Sequence, residues 1–65
     1  MLPKFVVDML KQKYSFSDAD VQLIGSNWEY YANYGFRFGS ASEARILREC
    51  KLVLACAKTE NFGQV

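Results

Sequence analysis

The side chains that could do chemistry in this chain are few. It contains two cysteines, Cys50 and Cys56, and no histidine, which is the side chain that acid–base catalysis near neutral pH uses most often. Asp18 and Asp20 are neighbours, but two positions apart on a helix their carboxylates diverge, and capping of a helix start explains both. Neither cysteine has a base or cation placed to activate its thiol. We therefore expect no catalytic residues, no enzymatic activity and no cofactor.

The two cysteines also predict neither a disulfide nor a metal site. They are six residues apart in a segment with helical periodicity, about 9 Å apart along the axis and on different faces, which is too far for a disulfide. Two thiols without histidine do not complete the usual zinc sets. A domain of 65 residues buries only a small core, so oligomerisation or a larger host complex is the remaining means of stabilisation. We expect a homo-oligomer without bound metal.

Four basic residues form a candidate anion-binding set. They are Arg37, Arg45, Arg48 and Lys51. The last three recur at three-residue steps along one helix side, and glycines around Arg37 precede that helix, where free backbone N–H groups can bind an anion. The spacing matches neither a P-loop nor a dinucleotide fingerprint. A solvated helix face with Glu43 and Glu49 as intrahelical ion-pair partners explains the same pattern.

Two DNA-binding folds can be drawn onto the sequence. Lys11 to Tyr34 can be divided into helices around a turn at Gly25, as in a helix-turn-helix, although residues 27–34 carry no lysine or arginine to contact phosphates. The stretch Arg37 to Ala44 resembles the turn before the second helix of ParD-type antitoxins. That resemblance covers eight residues, implies a ribbon-helix-helix fold and would require a strand over 21–24. The same stretch is explained by a helix-capping box.

Aromatic residues are concentrated in one segment, with six of the ten between positions 28 and 38. Tyrosine, tryptophan and arginine are common anchors of protein interfaces. Trp28 and Tyr31 continue the apolar spacing of Val21 and Ile24, so we expect them in the core. The docking surface is expected to begin near Gly35. The candidate partner-binding residues are Trp28, Tyr30, Tyr34, Phe36, Arg37 and Phe38.

Apolar periodicity and capping residues predict an all-α fold with three to four helices in a single domain, residues 1–65. The first helix runs from about Pro3 to Tyr14. Ser17 caps a second that starts at Asp18 and either continues to about Tyr34, the preferred interpretation, or breaks at Gly25. Gly35 fits a left-handed cap at the end of that helix, and residues 35–39 form a loop.

The final helix is predicted from a capping box of Ser40 and Glu43, with Ser42 as the alternative cap. It is expected to be long, with a frayed tail over 59–65. Residues 52–57 are apolar on every face, which in so small a domain predicts contact with a second copy. The expected oligomer interface is Leu52, Val53, Leu54 and Cys56.

These features favour a non-enzymatic adaptor, inhibitor or regulator that acts by binding another macromolecule, with a protein as the expected partner. The alternatives are a nucleic-acid-binding transcriptional regulator and a protein that sequesters a nucleotide or another small anion. The net charge of +1 gives no strong field for either a membrane or nucleic acid. No signal peptide or spanning segment is expected, and the protein is expected to be cytoplasmic, whether encoded by a cell or a phage.

Overall fold

The computed structural model describes the backbone of residues 2–63 and the side chains of residues 2–59. The described residues form three α-helices: α1 (Lys4–Lys13), α2 (Asp18–Tyr31) and α3 (Glu43–Gly63). A single 3-10 turn, Phe38–Ser40, lies between α2 and α3, and the described residues contain no strand. The all-α prediction is therefore confirmed.

The first helix begins and ends within one residue of the prediction. Pro3 stands just before α1 with φ −61° and ψ 151°, and its carbonyl accepts hydrogen bonds from the N–H groups of Val6 and Val7. Proline suits this position because its ring fixes φ and its missing N–H would have no helical partner. After α1 the chain turns at Ser15, whose φ is +58°.

The second helix is one continuous element. Its cap is Ser17, whose Oγ accepts a hydrogen bond from the N–H of Asp20 at 3.1 Å, as predicted. Gly25 lies inside the helix and does not break it, which confirms the preferred interpretation. The predicted end at Tyr34 is wrong, because the backbone is already extended at Ala32 (φ −71°, ψ 152°).

A turn closed by the Phe36 N–H and the Asn33 carbonyl, 3.1 Å apart, follows the extended residue. Gly35 has φ +83° and occupies the third position of that turn, where a type II turn requires positive φ. The prediction of a left-handed glycine is correct, but Gly35 is part of a turn four residues beyond α2 and does not cap the helix. The predicted loop over 35–39 extends into the 3-10 turn.

The third helix uses the alternative cap. The Oγ of Ser42 accepts a hydrogen bond from the N–H of Arg45 at 3.2 Å, and the Ser42 carbonyl accepts from Ile46 at 2.9 Å. Ser40 belongs to the 3-10 turn, so the predicted Ser40–Glu43 capping box is wrong. The expectation of a frayed tail over 59–65 stays a prediction, since the side chains of 60–63 and the whole of residues 64 and 65 lie outside the described part.

One hydrophobic core joins the three helices, and α2 and α3 form its most extensive contact. Its members come from all three helices and from the short segment before α1. They are Leu2, Val6, Leu10, Val21, Ile24, Ile46, Cys50 and Val53. Leu10, Ile24 and Val53 are completely buried, so a single copy of the chain encloses its own core.

This packing corrects the predicted oligomer interface. Val53 is 0% exposed and Ala57 2%, while Leu54 packs against the core. Leu52 is 45% exposed, and Cys56 is half-buried. The apolar segment 52–57 is thus largely explained within one chain. Val53 therefore belongs to the core and not to an intersubunit surface. Leu54 is only partly accessible. The predicted interface with a second copy is left with Leu52 and Cys56.

The two DNA-binding folds do not fit the structure. A helix-turn-helix needs a turn at Gly25, where α2 continues without interruption. A ribbon-helix-helix needs a strand over 21–24, and those residues are helical. Among the described residues, no helix has the length and apolar character required to cross a membrane.

Glu43 joins the start of α3 to the end of α1. Its carboxylate accepts hydrogen bonds from the Tyr14 hydroxyl at 2.6 Å and from the Lys13 ammonium at 3.0 Å. Those two donors lower the pKa of Glu43 below its ordinary value, the tyrosine bond contributing most. The predicted intrahelical partnership of Glu43 with the basic stripe is therefore wrong.

The pH dependence of this contact gives a testable result. A carboxyl group whose pKa is lowered in the folded state contributes stability above its unfolded pKa, about 4.3 for glutamate, and loses it as the pH falls through the folded value. We expect Glu43→Gln to have a lower urea midpoint than the wild type at pH 7, with the difference shrinking towards pH 2.5. Urea unfolding followed by circular dichroism across this range measures it, and a constant difference at all pH values would contradict the assignment.

Candidate functional site

A buried carboxylate fixes the segment that carries the exposed aromatic residues. Glu49 on α3 is 3% exposed and accepts two hydrogen bonds from Asn33, one from the backbone N–H at 2.5 Å and one from the side-chain amide at 2.9 Å. The intrahelical ion-pair role predicted for Glu49 is wrong. The sequence contained a signal for its burial, because Glu49 lies three residues after Ile46 and four before Val53, on the apolar stripe.

Three of the aromatic rings that were expected to form a docking surface pack against one another. Trp28 stacks on Phe38 with centroids 4.9 Å apart, and Phe36 meets both rings edge-on, at 5.7 Å from Trp28 and 5.3 Å from Phe38. The exposed ring of Phe5 on α1 adds an edge contact to Phe38 at 6.5 Å. We call Trp28, Phe36 and Phe38 the aromatic cluster. It packs on the core, so these side chains stabilise the loop.

The remaining candidate residues are exposed. Tyr34 is 106% exposed and Tyr30 77%, and Arg37 is also exposed. Tyr34 lies in the turn next to Asn33, whereas Tyr30 is on α2 beside a cavity of about 540 Å³ between α1 and α2. The boundary between core and surface therefore does not fall near Gly35, because Phe36 and Phe38 beyond it are packed while Tyr30 and Tyr34 before it are accessible.

Ion pairing divides the basic residues into two groups. Four lysines lie within 4 Å of a carboxylate, in the pairs Lys4–Asp8, Lys11–Asp18, Lys13–Glu43 and Lys58–Asp20. No carboxylate among the described side chains pairs with the exposed residues of the candidate anion-binding set. Those residues are Arg37, Arg45, Arg48 and Lys51. The predicted set thus coincides with the cations that have no acidic partner in the described part of the chain.

Part of this set shares a helix face with an exposed leucine. Arg45, Arg48 and Leu52 follow a spacing of three and four residues on α3, which aligns them on one side of the helix. Glu49 lies within one turn of all three and holds Asn33, so the turn that carries Tyr34 is anchored to this part of α3. We call Tyr34, Arg45, Arg48 and Leu52 the exposed α3 face. It combines unpaired guanidinium groups with accessible apolar surface.

A cleft adjoins the exposed α3 face. It has a volume of about 340 Å³ and lies between the 33–42 loop and the start of α3. Its lining includes Arg37, Ser40, Ser42 and Arg45, and no acidic residue. The guanidinium carbon of Arg45 lies 6.0 Å from the centre of the Phe36 ring, within the range of a cation–π contact.

The two thiols differ in accessibility, and burial weakens the acidity of one of them. Cys50 is completely buried, and burial together with the neighbouring Glu49 carboxylate raises its pKa to about 11. Cys56 is half-buried. In the described part of the chain, no group of three or more histidine, cysteine, aspartate or glutamate residues could hold a metal ion.

Thiol labelling is expected to separate the two cysteines. At pH 8 a thiol with a pKa near 11 is ionised about two orders of magnitude less than an ordinary thiol, and only the thiolate reacts. We expect Cys56 to react with a maleimide at least about 100 times faster than Cys50 in the native protein, and both to react in urea. Mass spectrometry of digests resolves the sites. Equal native rates would contradict the burial of Cys50.

Comparison with known proteins adds no relationship to these observations. No protein-family model, no curated protein and no solved structure matches the chain.

Proposed function

We propose that this chain is a non-enzymatic binding protein whose exposed α3 face docks on an acidic surface of another protein. The observation that carries the proposal is the segregation of its cations. Four lysines are neutralised within the chain, whereas Arg37, Arg45, Arg48 and Lys51 have no acidic partner among the described side chains. Charge left uncompensated on one side attracts a partner of opposite sign and orients it.

The apolar component of the face supports a protein as the partner. Tyr34 is completely exposed and Leu52 is 45% exposed, and Leu52 lies one helical turn after Arg48 on α3. Interfaces derive much of their affinity from a few tyrosine, tryptophan and arginine anchors that become desolvated on binding. Tyr34 is also presented on a fixed backbone, because Glu49 holds the preceding residue. A positioned ring loses less conformational entropy on docking than a mobile one.

Self-association through this face is less favoured by the same chemistry. The predicted homo-oligomer retains Leu52 and Cys56 as interface residues after Val53 is assigned to the core. A parallel two-fold pairing of α3 helices through Leu52 would bring Arg45 and Arg48 of each copy near those of the other, and like charges in an interface are destabilising. We therefore propose a different protein as the principal partner, with the homo-oligomer as a separate proposal tested by native mass spectrometry.

Affinity capture with matched variants tests the docking proposal. The variant Tyr34→Ala/Arg48→Glu changes two exposed side chains of the face. The control Lys4→Glu/Gln12→Ala changes two exposed side chains of α1 and alters the net charge equally. We expect a partner protein to be captured by the wild type and by the control. The amount captured by the face variant should be lower by about tenfold or more, because the variant has lost interface anchors.

The capture is performed in lysate of the source cell after nuclease treatment, and quantified by mass spectrometry. Circular dichroism of each variant shows that it remains folded. If every specifically captured protein is retained equally by the face variant and by the control, the proposed docking surface is wrong.

Nucleic acid is the second candidate, favoured by the same four unpaired cations. Phosphate contacts would make binding fall steeply with salt. This alternative predicts capture of nucleic acid that is lost with Arg45→Glu/Arg48→Glu, and loss of the captured proteins on nuclease treatment. A nucleotide is less well supported, because the contacts that the three rings of the aromatic cluster make with one another leave them poorly placed to stack on a base.

A further inference from the structure

We propose that the cleft between the 33–42 loop and α3 binds the phosphate monoester of a phosphorylated residue in the partner protein. This inference rests on the proposed function, because it names the chemical group that the docking partner presents. The residues that line the cleft include two arginines and two serines, Arg37, Arg45, Ser40 and Ser42. Guanidinium groups bind phosphate oxygens through paired, charge-assisted hydrogen bonds, and hydroxyl groups can donate further ones.

The carboxylate nearest in sequence is directed away from the cleft. Glu43 immediately follows Ser42, but its carboxylate is bound by Lys13 and Tyr14 of α1 and lines a different cavity. Arg37 and Arg45 therefore have no acidic partner among the described side chains, although an acid stands beside them in the sequence. Unneutralised arginines around a cleft favour an anion that carries two charges, as a phosphate monoester does near pH 7.

The cleft also has firm support. Arg45 lies over the ring of Phe36, and Phe36 is held by edge contacts to Trp28 and Phe38. The volume of about 340 Å³ exceeds that of one phosphoryl group, which leaves room for the peptide that carries it. Because Arg45 also belongs to the exposed α3 face, a peptide with its phosphate in the cleft could continue across Arg48 and Leu52.

Titration of the ¹⁵N-labelled protein with short peptides tests this site. The probes are a phosphoserine peptide, its unphosphorylated form, the same peptide with glutamate in place of phosphoserine, and inorganic phosphate, all at constant ionic strength. We expect the phosphopeptide to shift the amide signals of residues 37–45 and to bind at least about tenfold more tightly than the unphosphorylated peptide. Inorganic phosphate is expected to shift the same signals more weakly.

Two variants locate the binding to the cleft. Arg37→Gln/Arg45→Gln is expected to weaken phosphopeptide binding about tenfold or more. The matched control Lys4→Gln/Lys11→Gln removes two exposed cations of α1, outside the cleft lining and the exposed α3 face, and should change binding less than about threefold. Equal binding of phosphorylated and unphosphorylated peptides would overturn the proposal. The absence of shifts in residues 37–45 would also overturn it, as would an equal loss of binding in Lys4→Gln/Lys11→Gln.

Phosphatase treatment of a captured partner separates this inference from the docking proposal. Loss of binding after dephosphorylation supports both. Binding that survives dephosphorylation but is lost with Tyr34→Ala/Arg48→Glu leaves the docking proposal standing and overturns the phosphate site. If binding survives dephosphorylation and the face variant retains the partner as well as its α1 control does, both the docking proposal and the phosphate site are contradicted.

Discussion

Glu49→Ala is expected to lower the free energy of unfolding by about 2–4 kcal/mol, the largest effect that we predict for any single polar side chain. The substitution removes a carboxylate that is 3% exposed and leaves the backbone N–H and the side-chain amide of Asn33 without their acceptor. Both hydrogen bonds are partly buried and have a charged acceptor, so water replaces that acceptor only incompletely. Since domains of this size have about 3–5 kcal/mol in total, much of the variant would be unfolded at 25 °C.

Urea unfolding followed by circular dichroism measures this effect. Glu49→Gln keeps the shape and one carbonyl acceptor, so we expect a smaller loss of about 1 kcal/mol. The matched control is Glu29→Ala, an exposed acid on α2 that forms no ion pair with a described side chain, which should change stability by less than about 0.5 kcal/mol. If Glu49→Ala and Glu29→Ala proved equally stable, the Glu49–Asn33 contact would not hold the turn.

Phe38→Ala is expected to lower the free energy of unfolding by about 2–4 kcal/mol, because Phe38 lies at the centre of the ring contacts. It contacts Trp28, Phe36 and Phe5 at centroid distances of 4.9, 5.3 and 6.5 Å. Its removal would open the aromatic cluster and shift the fluorescence of Trp28, the only tryptophan, to longer wavelength. Thermal unfolding followed by that fluorescence gives both quantities.

Tyr34→Ala is the control that separates packing from docking. Tyr34 is completely exposed, so its removal should alter stability by less than about 0.5 kcal/mol while weakening partner binding. A loss of stability in Tyr34→Ala as large as that in Phe38→Ala would show that the two rings do not differ in the way the structure indicates.

The helices could be predicted from the sequence because their signals are local. Ser17, the acids after it and the spacing of Val21 and Ile24 define the start of α2 without reference to any other part of the chain. The end of α2 could not be predicted in the same way. It is accompanied by the contact between Asn33 and Glu49, which are sixteen residues apart. The choice between Ser40 and Ser42 as the cap of α3 was likewise left open by the sequence, since both serines fit a capping pattern.

The candidate site was predictable in its residue types but not in its arrangement. The cations of the anion-binding set were identified by spacing, yet their lack of acidic partners depends on Glu43 turning to α1 and Glu49 turning inward. The aromatic segment was identified by its composition. Its division into packed rings and exposed tyrosines depends on the turn at Gly35, which brings Phe36 and Phe38 back onto Trp28.

The most direct test of the docking proposal is a map of the amide signals of the ¹⁵N-labelled protein when the captured partner is added. We predict that the largest shifts or line broadening occur at Tyr34 and at residues 45–52, with little change along the exposed residues of α1. Perturbation confined to α1 and the cavity beside Tyr30, with residues 45–52 unchanged, would contradict the proposal.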